Sequence, residues 1–307
     1  MIRWLVIGWF LLMAVSVTCM AGEAAMGTIS GLIEDPDGEP FKDAEILVLE
    51  DSLYARLCWK IEAKAASDAQ GKYSASVRAG KYVVIVRDPA KELIGEVRTG
   101  VEVKAGQDAT VRVGMVIPVN MNGTCQMDDR PVEHVVVWAL YGGWPLVDPT
   151  LGDTQTDQEG NFLLHVRATN VSVKFTYPVD ATKGSVAAPV IAQGSYRTIP
   201  GLQLVVNANV DSTQLAELCV KGLDGGKRTK ETRFALADSS GVALIKPAAA
   251  SLNGRQSTLD GQWDTLIWQA LVPGKYTLHA LNTTAGDVHQ PCVLNPGKNE
   301  LTLEPPK

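Results

Sequence analysis

The stretch SDAQGKYSASVR at residues 67–78 returns later in the chain as TDQEGNFLLHVR at residues 156–167. Each copy has Ser or Thr followed by Asp, two polar residues, Gly, one polar residue, an aromatic residue and an alternating tail that ends in Val-Arg. The Asp side chain caps its own backbone in a tight turn, and Gly accepts a positive φ. The aromatic residue shares a strand face with the alternating residues that follow it. The repeat therefore predicts a turn that enters a half-buried strand, which is scaffold and needs no ligand.

Short apolar stretches make up most of the remaining chain, and turn signals separate them. Examples are AEILVL, KYVVIV and ATVRVGMVI, with DPDGEP, DAQG and KAGQD as turns. Their length and alternation are typical of strands. The best helix candidate is residues 51–67, which form either a short helix or a long connection. We expect an all-β protein of small antiparallel β-sandwiches.

The strand and turn pattern repeats three times along the chain. After a signal peptide that we predict at residues 1–25, this pattern predicts β-sandwich domains at residues 26–117, 118–207 and 208–307, the last with a long insertion. The links VIPVNMNG and VVNANVDS are short and apolar, which does not suit flexible linkers. We therefore expect three tandem domains in an extended, stiff row.

The order of these motifs resembles the carboxypeptidase regulatory-like domain, a β-sandwich of transthyretin-like topology. The first unit carries nearly all of the resemblance in GLIEDPDGEP and SDAQGKYSASVRAGKYVVIV. The second unit keeps TDQEGNFLLHV, and the third keeps LVPGKYTLHA. The resemblance implies non-catalytic companion modules, used as spacers, folding partners or interaction modules. It implies no catalytic residues.

The first residues predict a location outside the cytoplasm. Arg3 precedes the apolar run WLVIGWFLLMAVSV at residues 4–17, and the small-residue segment TCMAGEAA follows. This layout is typical of a secretory signal peptide and is short for a membrane span. Cys19 keeps lipid anchoring open as an alternative. We expect a secreted, periplasmic or cell-envelope protein without a membrane span in the mature chain.

Four cysteines remain after the signal peptide: Cys58, Cys125, Cys219 and Cys292. Their wide spacing does not suit a zinc site. An oxidising compartment permits disulfides, and Cys219 with Cys292 is the favoured pair because it closes within the third unit. The absence of any disulfide stays open.

The composition argues against several function classes. A net charge of −6 argues against a nucleic-acid partner, which would need clustered basic residues. The common hydrolase motifs are missing from the sequence, and the four histidines are not clustered along it. The acidic turn at residues 34–39 is more typical of a solvated hairpin than of a calcium loop. We predict no catalysis, no metal and no cofactor.

Aromatic residues supply the alternative function. Tyr141 and Trp144 lie in LYGGWPLVDP, where two glycines and a proline predict an exposed loop, and Trp263 and Trp268 lie in the long insertion. Aromatic rings on sandwich loops can stack on sugars. These four residues form the candidate glycan site, if at least two of the rings lie together in solvent. The favoured interpretation is that these residues cover the open edge of their own domain or pack at a domain junction, and burial of the rings would support it and a scaffold.

The sequence therefore predicts a structural spacer or an interaction and adhesion scaffold. Its expected partners are other envelope or extracellular proteins. A carbohydrate-binding module with a polysaccharide partner is the alternative, and a hydrolase-associated or enzymatic role is the third possibility.

Overall fold

The computed structural model describes nine segments of the chain. They are residues 26–145, 154–176, 190–221, 232–238, 244–245, 249–252, 255–257, 265–283 and 286–303. The predicted signal peptide, Cys19 and Trp263 lie outside these segments. The described residues form antiparallel and mixed sheets almost throughout, which confirms the all-β prediction.

The first unit holds two four-stranded sheets that face each other across one core. One sheet has the order β4-β1-β7, with β8 also paired to β1, and the other has the order β3-β2-β5-β6. The strands are β1 (Met26–Glu34), β2 (Glu45–Glu50), β3 (Ile61–Ala66), β4 (Lys72–Arg78), β5 (Gly80–Arg87), β6 (Glu96–Val103), β7 (Asp108–Thr110) and β8 (Val113–Gly114).

A short helix, α1 (Leu53–Cys58), connects β2 to β3. Ser52 caps its start, since the Ser52 side chain accepts a hydrogen bond from the Ala55 amide at 3.1 Å. Trp59 ends it in the left-handed conformation with φ of 50°. The helix candidate at residues 51–67 is thus a short helix followed by a strand.

The second unit repeats the two-sheet arrangement. One sheet has the order β10-β9-β14, with β17 and β18 also paired to β9, and the other has the order β12-β11-β15-β16, with β13 paired to β11. The strands are β9 (Val119–Met127), β10 (Arg130–Pro131), β11 (Val136–Tyr141), β12 (Trp144–Pro145), β13 (Thr154–Gln155), β14 (Asn161–Val166), β15 (Asn170–Thr176), β16 (Val190–Arg197), β17 (Leu204–Val205) and β18 (Ala208–Val210).

The third unit begins after a 3-10 turn at Ser212–Gln214. Its sheets have the orders β23-β22-β24-β19-β27 and β21-β20-β25-β26. The strands are β19 (Ala216–Lys221), β20 (Arg233–Asp238), β21 (Leu244–Ile245), β22 (Ala249–Leu252), β23 (Arg255–Ser257), β24 (Thr265–Leu271), β25 (Gly274–Leu281), β26 (Val288–Leu294) and β27 (Gly297–Thr302).

The two repeated stretches make the same turn, hydrogen bond by hydrogen bond. Asp68 Oδ1 accepts from the amides of residues 70 and 72, both at 2.9 Å or less, and the Gly71 amide donates to the Asp68 carbonyl. Asp157 Oδ1 accepts in the same way from residues 159 and 161, and the Gly160 amide donates to the Asp157 carbonyl. The repeat is therefore a structural device, as its sequence predicts.

The residue before each of these Asp residues has a matching role. The Ser67 hydroxyl accepts from the Ala44 amide at 2.9 Å and donates to the Phe41 carbonyl at 2.7 Å. In the second copy, the Thr156 hydroxyl accepts from the Val135 amide and donates to the Val132 carbonyl. Each hydroxyl is buried and ties the turn to the start of the strand beside it.

The two central strands of the sheet β3-β2-β5-β6, which are β2 and β5, are buried on both faces. Ile46, Val48, Val84 and Val86 contribute to the core of the first unit. Their neighbours along the same strands point the opposite way, and these are Leu47, Leu49, Val83 and Ile85, each 0% exposed. All four belong to the apolar cluster that forms the core of the second unit. The first and second units therefore share one continuous apolar interior.

The extended row predicted from the sequence is wrong. Leu53 and Tyr54 of α1, in the first unit, pack against Ala235 and Leu281 in the third unit. The third unit also meets the second, because Lys174 lies 3.2 Å from Asp238. All three units are thus in mutual contact, which a linear row does not allow. The physical reason is that their sheets present apolar outer faces that require cover.

Candidate functional site

An aromatic junction lies where α1 of the first unit meets the β11–β12 hairpin of the second. The rings of Trp59 and Trp144 have centroids 6.3 Å apart with planes tilted by 46°. The Arg56 guanidinium lies over the Trp144 ring, 5.5 Å from its centroid. Burial lowers the pKa of Arg56, although Asp51 acts in the opposite direction. A cation of this kind over an aromatic face stabilises the contact, and burial strengthens it.

The hairpin that carries Trp144 is tight. Gly142 and Gly143 both have positive φ, of 58° and 87°, and they connect two strands in which Tyr141 pairs with Trp144. Two glycines with positive φ are the signature of a type I′ turn. This turn aims the hairpin at the first unit, where a Cβ on Gly142 would lie 3.5 Å from Thr99.

Arg167, the last residue of the second repeated stretch, closes the same junction. Its Nη1 donates to the carbonyls of Gly95 and Gly114 in the first unit, at 2.9 and 3.1 Å. Its Nη2 lies 3.7 Å from Glu96 Oε2. Its backbone amide donates to the Tyr141 hydroxyl at 3.0 Å. One arginine therefore links an aromatic residue of the second unit to two strands of the first.

The predicted glycan-binding residues do not form an exposed platform. Tyr141 is 8% exposed, Trp144 is 1% exposed and Trp268 is 1% exposed. The first two are covered because the first unit lies against their hairpin. Trp268 lies on β24, where it faces the core of the third unit. Trp263 lies outside the described residues. The expectation of an exposed loop at Tyr141 and Trp144 is therefore wrong.

A buried ion pair joins the second and third units. The side chains of Lys174 and Asp238 are 6% and 9% exposed, and Lys174 Nζ donates to Asp238 Oδ2 at 3.2 Å. Burial lowers the pKa of Lys174, and Asp238 acts in the opposite direction. Removing either partner alone would leave the other charge buried without compensation. The pair therefore favours the observed packing of the second unit against the third.

Two histidines meet on the sheet β21-β20-β25-β26, on the face that points away from the core of the third unit. His279 on β25 pairs across the sheet with His289 on β26, and their Nδ1 atoms are 2.6 Å apart. His279 is 8% exposed. Burial, His289 and Arg56 lower the pKa of His279, while Asp287 acts in the opposite direction. The histidines are not clustered along the sequence, but the register of β25 with β26 brings these two together.

The favoured disulfide is not formed. Cys58, Cys125, Cys219 and Cys292 are all free thiols. On β19, Cys219 alternates with the buried Leu218 and Val220, so it points away from the core. Cys292 on β26 packs against that core. The two thiols lie on different sheets of the third unit. Cys292 points into the core between the sheets, whereas Cys219 points out of it, so the sheet that carries Cys219 separates them.

The carboxylates of the acidic turns already accept hydrogen bonds from within the protein. Asp35 Oδ1 accepts from the amides of residues 37 and 39, both at 2.9 Å. Asp128 accepts from the Ser212 amide and hydroxyl at 2.9 and 2.7 Å, which lowers the pKa of Asp128. Among the described residues, no three His, Cys, Asp or Glu side chains lie together in a way that could hold a metal ion.

The described segments also contain no helix with the length and apolar character needed to cross a membrane.

Packing of Trp144 at a domain junction agrees with the favoured interpretation of its sequence, but that interpretation does not identify Trp59 and Arg56 as its partners. A signal for the junction was present in the unbroken apolar runs EILVL and YVVIV at β2 and β5. A strand with one solvated face alternates apolar and polar residues, whereas a run of this kind indicates burial on both faces. These two runs indicate that the outer face of the sheet that carries β2 and β5 is covered by another unit.

Comparisons with known proteins agree with the domain resemblance. The model of the carboxypeptidase regulatory-like domain matches residues 28–116. A search of curated proteins finds no match to the chain.

Similar solved structures include two streptococcal pilins and a protein of Bacillus anthracis. The Bacillus anthracis TIE protein is 12% identical over 91% of this chain and 50% of its own, with a TM-score of 0.26. GBS52, the minor pilin of Streptococcus agalactiae, is 10% identical over 60% of this chain and 95% of its own, with a TM-score of 0.28. A streptococcal ancillary pilin is 12% identical over 92% of this chain and 100% of its own, with a TM-score of 0.25. The chain thus spans half the length of the TIE protein that it matches.

The first unit has the glycine turn, the buried aromatic residue and the two facing sheets that the motif order predicts, and the family model matches this unit almost from end to end. The match to the carboxypeptidase regulatory-like domain model covers this unit, at residues 28–116.

Proposed function

We propose that this protein is a non-catalytic scaffold outside the cytoplasm, in which three β-sandwich domains are held as one rigid body. The observation that carries the proposal is the second apolar face of the sheet β3-β2-β5-β6. Leu47, Leu49, Val83 and Ile85 are fully buried there against the core of the second unit. Burying each such side chain contributes about 1.5–3 kcal/mol, so the face as a whole opposes separation of the units.

Three further contacts support a rigid body over a flexible array. The Trp59–Trp144 contact and the Arg167 hydrogen bonds join the first two units. The Lys174–Asp238 pair joins the second unit to the third. Domains joined by large apolar interfaces do not move independently. A rigid body of this kind suits a spacer or a presenting surface, whose partners recognise its outer faces.

The predicted signal peptide supports an extracytoplasmic site of action. Other envelope or extracellular proteins are the partners we propose. The burial of Tyr141, Trp144 and Trp268 gives no support to polysaccharide binding through those rings.

Differential scanning calorimetry tests the rigid-body proposal. If the units unfold together, the calorimetric and van't Hoff enthalpies of the exported chain agree. If the units are independent, the van't Hoff enthalpy falls to roughly one third of the calorimetric value. The charge variant Ile85→Asp places an uncompensated carboxylate in the shared interior, and we expect it to split the transition. Glu102→Asp, on β6 of the same sheet and exposed, is the matched control.

A further inference from the structure

A pair of histidines lies beside the contact between the first unit and the third. His279 on β25 is in register with Ala235 on β20 and with His289 on β26. Leu281 lies two residues further along β25, so its side chain points to the same side of the sheet as that of His279. The helix α1 packs on this side of the sheet. We name its contact there the α1 contact, which consists of Leu53, Tyr54, Ala235 and Leu281.

The two rings of the pair differ in their access to water. His279 is 8% exposed, whereas His289 lies at an exposed position. A positive charge on the buried ring is costly, because that ring is held away from water. The exposed ring is the one that a proton from solvent reaches first.

The geometry of the pair leaves room for one proton between the rings. The two Nδ1 atoms are 2.6 Å apart, so one must donate its N–H and the other must accept through its lone pair. In a protonated imidazole both ring nitrogens are donors. When both rings are protonated, two N–H groups point at each other and the hydrogen bond is lost. The pair can therefore hold one positive charge in this arrangement, but not two.

The charges around His279 oppose its protonation. Burial lowers the pKa of His279 most, followed by His289 and by Arg56 of α1, while Asp287 acts in the opposite direction. The Arg56 guanidinium is held in place over the buried Trp144 ring, 5.5 Å from its centroid. Asp287 is exposed, and its carboxylate already accepts a hydrogen bond from a backbone amide at 2.8 Å. A doubly charged pair would thus lie next to a fixed cation of the first unit.

The neighbouring strand β20 does not offset this repulsion. The residue in register with His279 on that strand is Ala235. Arg233, at the start of β20, is exposed and adds positive charge to this end of the sheet. Asp238, at the far end, forms the buried ion pair with Lys174 of the second unit. Neither end of β20 therefore compensates a second charge on the pair.

We infer that the histidine pair is a pH-sensitive switch, which separates the sheet of the third unit from α1 in acid. At neutral pH the two rings share a hydrogen bond and the α1 contact is closed. In acid the second proton breaks that hydrogen bond and places two charged rings beside Arg56. The two histidines titrate as a unit, because each ring changes the charge that the other can carry.

The direction of the switch follows from proton linkage. The closed form lowers the pKa of His279 below its ordinary value, so the open form binds more protons as the pH falls below about 6.5. Falling pH therefore drives opening, and rising pH drives closure. The ratio of closed to open chains changes by up to about tenfold per pH unit for each proton taken up.

The separation is confined to the α1 contact. Among the described residues, the apolar cluster that joins the first two units contains no histidine, aspartate or glutamate. The Lys174–Asp238 pair still ties the third unit to the second. The inference rests on the proposed function, because the units must be held together at neutral pH before acid can release one of their contacts.

Methyl NMR spectroscopy of the chain from residue 26 onward tests the switch. At about pH 7.5 we expect nuclear Overhauser contacts from Leu53 to Ala235 or Leu281, and at about pH 5.5 we expect them to be lost. Contacts of Leu47 and Ile85 with the core of the second unit should persist at both pH values, because no titrating group lies there.

Two histidine variants separate the pair from other effects of acid. His289→Gln leaves a neutral side chain at an exposed position, so the pair can carry only one charge. It should lower the pH of half-opening by at least about one unit. His165→Gln is the matched control, since His165 is an exposed histidine of the second unit, bonded to Asn120. It should open over the same pH range as the unaltered chain.

An α1 contact that persists at about pH 5.5 in the unaltered chain would overturn the inference. So would a His289→Gln chain that opens at the same pH as the unaltered one. Loss of the Leu47 contacts together with the α1 contact would also overturn it, because that result means general unfolding in acid. The rigid-body proposal fails on a different result, which is independent unfolding of the units in calorimetry at neutral pH.

Discussion

Trp59 and Trp144 meet across the boundary between the first two units, with ring centroids 6.3 Å apart. Trp59 reaches this contact from the left-handed end of α1, with φ of 50°. A bulky side chain rarely adopts this conformation. The packing of Trp59 against Trp144 therefore offsets the backbone strain at Trp59. The strained conformation at the end of α1 is thus stabilised by a contact with the second unit.

Trp144→Ala should lower the free energy of unfolding by about 3–5 kcal/mol, because it removes a fully buried ring from the shared interior. Urea denaturation followed by circular dichroism measures this loss. Trp138→Phe is the control, since it removes the hydrogen bond from Trp138 Nε1 to the Thr176 hydroxyl at a cost of about 1 kcal/mol. Equal losses of unfolding free energy in the two variants would contradict the claim that Trp144 stabilises the contact between the units.

The glycines of the repeated turn should be less replaceable than a glycine in an open turn. A Cβ on Gly71 would lie 2.4 Å from the Ile33 carbonyl oxygen, and a Cβ on Gly160 would lie 2.5 Å from that of Cys125. Gly38 has φ of 87° and nothing within 4 Å of its Cβ position.

We expect Gly38→Ala to cost about 1 kcal/mol through backbone strain alone. Gly71→Ala and Gly160→Ala should each cost roughly twice that or more, because a steric clash is added. Thermal unfolding of the three variants gives the comparison. Similar losses for all three would mean that only the positive φ matters at these turns.

Lys174→Met should destabilise the protein by about 3–5 kcal/mol, because it leaves the Asp238 carboxylate buried without its cation. The double variant Lys174→Met with Asp238→Leu should recover part of the loss, since no buried charge remains. A double-mutant cycle in urea measures the coupling. A loss below about 1 kcal/mol for the single variant would show that the pair is open to water.

Stability should fall as the pH drops below about 6.5. The folded state lowers the pKa of His279 through burial, His289 and Arg56, against the opposing effect of Asp287. The unfolded chain therefore binds more protons in this range, and stability decreases with falling pH.

The urea midpoints of unfolding at about pH 7.5 and 5.5 compare the unaltered chain with two variants. His279→Gln should lose part of the pH dependence, while His165→Gln, at an exposed histidine paired with Asn120, should keep it. The assignment fails if His165→Gln flattens the pH dependence and His279→Gln does not.

The local scaffold could be predicted from the sequence, because its causes are local. Asp68 and Gly71 make their turn through bonds within five residues, and Asp157 and Gly160 repeat it. Packing of Trp144 at a domain junction is the favoured interpretation of its sequence, but its partners Trp59 and Arg56 could not be predicted from its own loop, because they belong to another unit. The glycines and proline around it are typical of an exposed loop and of an interdomain hairpin alike.

The histidine pair shows the same limit. His279 and His289 lie on different strands, and only the register of β25 with β26 brings their rings together. The error of the extended row has a related origin. Link length indicated a stiff connection, but the apolar outer faces at β2, β5 and β25 determine which surfaces the units bury.

Small-angle X-ray scattering of the chain from residue 26 onward tests the central claim most directly. Three touching domains with a radius of gyration of about 13 Å each give about 24 Å in mutual contact and about 31 Å in a line. We predict a value near 24 Å, with Ile85→Asp moving toward the larger value as the first unit detaches. A value near 31 Å for the unaltered chain would contradict the account, because it would mean that the three units do not share an interior.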